Sequence, residues 1–168
     1  MSHGPGRSAE PLHVILDDSA LVAAGHGNVL ASALIARAHP GPFQERGPAR
    51  ESIRIYVAAC ALVAADRERP GTGHHVAALP NLDVLALDLP AALDVMGAAD
   101  WAVPHTRYAA QPSLELPDGA IVATTRPERW RGQPVRVLDL NPWPADPRPR
   151  ARPASDRGQD GSAVSPDP

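Results

Sequence analysis

Short runs of consecutive apolar residues alternate along this chain with segments whose apolar positions recur at helical spacing. LHVIL, residues 12–16, is the first run and suits a buried strand. Residues 19–24 and 28–38 (NVLASALIARA) read as helices, and Pro40, Gly41 and Pro42 stop the second. Residues 49–67 (ARESIRIYVAACALVAADR) carry a long helical signal, although IRIYV within it suits an extended strand equally well. LDVLAL at 82–87 predicts a further strand, and helices follow over 90–97 and 100–110. The runs GAIVAT at 119–124 and VRVLDL at 135–140 close the pattern. Strands separated by helices imply crossover connections and a parallel sheet covered on both faces. The expected class is therefore α/β: a three-layer α/β/α sandwich around a central, mostly parallel sheet.

The ends break the pattern. Residues 1–11 read as a flexible leader. Residues 142–168 hold seven prolines in 27 positions and four arginines matched by four aspartates, which reads as a disordered tail. One domain over 12–141 is expected. Composition narrows its chemistry. The net charge is -3, which argues against nucleic-acid binding through bulk charge and leaves room for local arginine contacts. All 16 basic residues are Arg. Without lysine, Schiff-base chemistry on Lys and a P-loop are both excluded. A single cysteine, Cys60, rules out an internal disulfide framework and suits a reducing cytoplasm. No hydrophobic signal segment and no run of 18 apolar residues occur, so neither secretion nor membrane spanning is expected.

The first run ends in two adjacent acids, HVILDD, with Asp17 and Asp18 at the rim of the sheet. Ligand sites of open α/β sheets lie outside the carboxyl ends of the strands. Two carboxylates this close repel each other unless something stands between or beside them: a metal ion, an arginine or only water. Asp before SALVAA is also a good helix cap, a role expected of Asp18, with Asp17 left for a metal. A response-regulator receiver also ends its first strand in acids, but it needs a lysine that this chain lacks.

VILDDSALVA resembles the opening of PIN nucleases: an apolar strand ending in Asp, one variable residue, Ser or Thr, then a short apolar helix. Asp17 matches the first metal-binding acid, Ser19 its hydroxyl companion, and Asp18 the variable position. DWAVPHTRYAA, residues 100–110, is similar to the helix of the family's third acid, with Asp100 at the acid and Thr106 near the small-residue segment. Pro104 suits that helix only within its first turn. IVATT at 121–125 resembles the family's Thr-bearing strand; Thr124 matches, and Arg126 stands where a fourth acid often falls. At the second acid the chain departs from the family. IYVAACALVAAD places Ala64 where a Glu is usual, and Asp66 lies two residues on, about 200° around a helix. Glu51 and Glu68 have no positional support.

The resemblance runs from about His13 to Asn141 and implies a VapC-like toxin ribonuclease. Such an enzyme hydrolyses RNA phosphodiesters with Mg2+ or Mn2+, hard cations that polarise the phosphoryl oxygen and activate water. It implies Asp17 and Asp100 as metal ligands, Asp66 as a further catalytic acid, and Ser19 and Thr124 as positioning hydroxyls. It also implies RNA as substrate, a cognate antitoxin and a homodimer. The alternative is a degenerate PIN domain, lacking the second acid, that binds RNA or protein.

Other motifs are weaker. His74 and His75 are adjacent and no H-E-x-x-H occurs, so surface or helix-end histidines are expected; His105 shares the helix of Asp100. GTGHHV at 71–76 reads as a loop opening a short helix. Arg126, Arg129 and Arg131 with Trp130 form either an RNA contact or a solvated turn with Trp130 packed on the core.

Overall fold

A computed structural model describes residues 11–38, 53–80 and 82–142. The expected leader, apart from Pro11, and the expected tail beyond Pro142 lie outside the described residues, as do Pro40–Pro42 and Glu51. In chain order the elements are β1 (Leu12–Leu16), α1 (Asp18–Gly25), α2 (Val29–Arg37), β2 (Ile53–Ala58), α3 (Ala59–Glu68) and α4 (Thr72–Ala77). They continue with β3 (Leu82–Leu85), α5 (Leu89–Val95), α6 (Ala102–Ala109), β4 (Ile121–Thr124), a 3₁₀ turn (Pro127–Trp130) and β5 (Arg136–Asp139).

The five strands form one sheet in the order β3-β2-β1-β4-β5, and every pair is parallel. Helices flank it, giving the α/β/α sandwich. Alternation along the central strands sorts the core. Val14 and Leu16 of β1, with their partners Ile55 and Val57 of β2, face a cluster that includes Leu21, Ala31 and Val76. Ile15 and its neighbours Tyr56 and Val122 face the opposite cluster with Ala110, Leu116 and Trp130. Both faces of β1 are covered, which is why LHVIL reads as a continuous apolar run.

IRIYV is strand, and α3 begins only after Ala58, so the long helical signal over 49–67 divides into β2 and α3. Pairing with β1 and β3 supplies the tertiary partners that local spacing cannot reveal. GTGHHV opens α4 as expected. Pro104 is the third residue of α6, where its missing N–H costs nothing. Gly119 has φ +64, and a Cβ there would lie 2.6 Å from the carbonyl oxygen of Ala110. The end of α6 therefore meets the start of β4 over a glycine backbone.

The chain runs outward from β1 to β2 and β3, then returns to β4 on the other side of β1. The reversal makes the carboxyl ends of β1 and β4 the switch point of the sheet, where Asp17 and Thr124 stand, both fully buried. Among the described residues no single helix is long and apolar enough to cross a membrane.

Candidate functional site

Asp17 follows β1 and caps α1, so strand and helix meet at one carboxylate. It is fully buried. Its Oδ1 accepts hydrogen bonds from Ser19 Oγ at 2.7 Å and from the Ala20 amide at 2.8 Å. Its Oδ2 accepts from Trp130 Nε1 at 3.0 Å. The Ser19 proton goes to Asp17, so at the 3.1 Å contact between Ser19 and Thr124 the threonine hydroxyl is the donor. Ser19 Oγ also accepts from the Thr125 amide, and Thr124 Oγ1 from the Arg126 amide. The structure thus brings Asp17, Ser19 and Thr124 into one buried chain of hydrogen bonds that ties β1 to β4.

Asp18, the first residue of α1, faces the other way and meets Arg129. One guanidinium nitrogen donates to both carboxylate oxygens at 2.9 Å, and the second reaches Asp100 at 2.9 Å. Asp100 in turn accepts from the Ala102 amide at the start of α6. Burial pushes the Asp18 carboxyl above its ordinary value, against the lowering pull of Arg129. For Arg129, burial alone would favour the neutral form, but Asp18, Asp17 and Asp100 outweigh it and raise its pKa. The adjacent acids are therefore separated in role: Asp17 is held by neutral donors, Asp18 by an arginine.

Asp66 lies elsewhere. Its Oδ1 accepts from the amides of Gly71 and Gly73, closing the turn between α3 and α4. Ala64 lines an open groove of about 630 Å³ together with Cys60, Val63, Arg67, Leu87, Asp100 and Trp101. The position resembling the family's second acid thus shares a groove with Asp100, but offers it a methyl group. Arg67 makes no ion pair or hydrogen bond among the described residues. Cys60 has its thiol pKa raised by burial and then by Asp100, the opposite of an activated nucleophile.

His105 is buried on α6. Its Nδ1 accepts from the Cys60 amide at 3.3 Å, which leaves the proton on Nε2, aimed at the carbonyl of Ala86. Burial lowers its pKa, against the raising effects of the Ala86 carbonyl and Asp88. His105 ties α6 to the start of α3 and to the loop after β3. Trp130 is packed in the core, as one of the two readings of its cluster expected. Arg126 lies 3.6 Å from Glu68, both half-exposed.

A Mg2+ or Mn2+ ion does not fit these carboxylates as they are held. Asp17 has both oxygens on donors, Asp18 and Asp100 grip a guanidinium, and Asp66 is engaged by two backbone amides. Among the described residues no group of three or more His, Cys, Asp or Glu side chains is placed to hold a metal. Comparison with protein-family models, with curated proteins and with solved structures finds no match.

Arg129 and Trp130 as partners of the acid pair were not foreseen. The signal was their adjacency in a turn directly after IVATT, the strand that pairs with HVIL. It became legible only with the strand order.

Proposed function

We propose that this chain is a PIN-like domain acting as a protein-binding module, with the groove beside Asp100 as its docking surface. The observation that carries the reading is the apolar wall at Ala64. Hydrolysis by the PIN-like route asks for carboxylates converging on a cation, whereas this wall offers methyl groups, Val63, Leu87 and the half-exposed Trp101. Apolar pockets of this volume with few polar groups suit side chains of a partner. Helix α5, whose flanking residues Leu87 and Ala99 line the groove, has the same character. Leu89, Leu93 and Met96 recur at helical spacing on α5 and its end, and all are exposed. Among the described residues the groove itself holds a single arginine, Arg67, which gives little purchase for an RNA backbone.

The test has two arms. End-labelled RNA of mixed sequence is incubated with Mn2+ and wild type, Asp17→Asn or an EDTA control. No Asp17-dependent cleavage is expected, and cleavage lost in both controls reinstates the endoribonuclease. In the second arm a photo-crosslinking amino acid replaces Val63 in cells. A discrete protein adduct, abolished by Ala64→Arg, is expected; adducts to RNA would overturn the protein-binding reading.

A further inference from the structure

Helix α3 lends one face to the groove, and only the last side chain of that face is charged. Cys60, Val63, Ala64 and Arg67 recur at spacings of three and four residues, so they share a stripe of the helix, and all four line the groove. Arg67 stands about 10 Å beyond Cys60 along the helix axis. The other end of the groove is where α6 begins. Ala102 packs on Ala58 and Ala61 at the start of α3, and Asp100 and Trp101 come just before it. The two ends differ in charge. Asp100 spends Oδ1 on the Ala102 amide and Oδ2 on Arg129, which it shares with Asp18, so two carboxylates meet one guanidinium there. At the Arg67 end the neighbouring acids are engaged elsewhere. Asp66 accepts from the Gly71 and Gly73 amides, and Glu68 lies 3.6 Å from Arg126. Arg67 is exposed and meets no carboxylate among the described residues. Between the ends lies apolar area, with Val63 50% and Trp101 56% exposed.

We infer that the groove takes a peptide segment of a partner protein that carries a large apolar side chain and, on one side of it, an aspartate or glutamate. The apolar group covers Val63, Ala64 and Trp101, and the carboxylate pairs with Arg67. This rests on the protein-docking reading of the groove and adds the chemistry of the occupant. The choice follows from charge complementarity, which sets specificity and orientation more than bulk affinity. A carboxylate is attracted at the Arg67 end and repelled at the other, where Asp18 and Asp100 outnumber Arg129. A docked acidic segment therefore has one favoured sense. A nucleic-acid backbone repeats its charge along its length and would bring phosphates to both ends, one of them acidic.

A phage-displayed library of random dodecapeptides, selected on the full chain and depleted on Ala64→Arg, supplies the probes. Val63→Gln, at an exposed position, serves for depletion if Ala64→Arg does not fold. Groove-dependent peptides are expected to combine Leu, Phe or Trp with Asp or Glu at a fixed offset on one side. For one such synthetic peptide, fluorescence anisotropy is expected to show roughly tenfold weaker binding to Arg67→Glu. Most of that loss is expected to return when the peptide's acid is changed to Lys. Moving the acid to the other side of the apolar residue is expected to weaken binding to wild type. Groove-dependent peptides that lack an acid, or that bind Arg67→Glu as well as wild type, overturn the acidic segment and leave the docking reading standing. A selection that yields no groove-dependent peptide overturns both. Displacement of the peptide by an equal concentration of mixed-sequence RNA or palmitate, or a dimer of the chain that Ala64→Arg dissociates, assigns the groove to another occupant and overturns the proposal.

Discussion

Asp17 accepts from a hydroxyl and an amide at the start of α1, Ser19 and Ala20, and from the indole of Trp130 in the turn after β4. A buried carboxylate held this way is costly to disturb, because a lost donor leaves an oxygen that water cannot reach. Trp130→Phe removes the indole N–H together with the five-membered half of the buried ring. It is expected to destabilise the fold by about 1–3 kcal/mol in urea unfolding. His105 gives a pH signature. Its folded pKa is depressed by burial from the ordinary 6.5, so the unfolded chain takes up the proton first as pH falls. Its contribution is complete above that value and declines below it. The urea midpoint is expected to fall between pH 7 and 5.5, and His105→Gln is expected to flatten that slope. At this scale the sequence was half legible. HVILDD announced that a counter-charge or a cap was needed, but the residue next to SALVAA, Asp18, was the expected cap, whereas Asp17 caps α1 and Asp18 is its first residue. Arg129 was visible only as a member of an arginine cluster, because nothing local says that the turn after β4 folds back onto β1.

Elements were read more securely than partners. Helices α1, α2, α5 and α6 fall close to the segments expected from the sequence. Asp17, Asn28 and Asp88 each accept from the amide three residues on. The region 49–67 was harder, since IRIYV followed by ACALVAADR satisfies a helical period throughout; only its neighbours in the sheet decide the first half. Asp66 shows the same limit. Helical geometry put it about 200° from the expected acid, away from the groove, but its use as the closure of the α3–α4 turn required Gly71 and Gly73 to be in place. Asp66→Ala is therefore expected to cost about 1 kcal/mol of stability and to leave the Val63 crosslink unchanged. Loss of that crosslink would show that the turn also shapes the groove.

For the molecule as a whole, alternating strands and helices were enough to give the class, while strand order was not encoded in any local pattern. That order has a consequence for synthesis. The strand made first, β1, occupies the middle of the sheet, where Val14 sits between Ile55 and Ile121. Until residue 121 has left the ribosome one side of β1 has no neighbour, the Asp17 amide lacks the Ala123 carbonyl, and neither Trp130 nor Arg129 exists. The nascent chain must carry a bare apolar strand for most of its translation, which is slow, long-range folding of the kind that exposes chains to aggregation. A chain stopped at Asp118 is expected to remain protease-sensitive, with full protection returning only once β4 and the following turn are included. The last quarter of the domain is thus what lets its first strand finish folding.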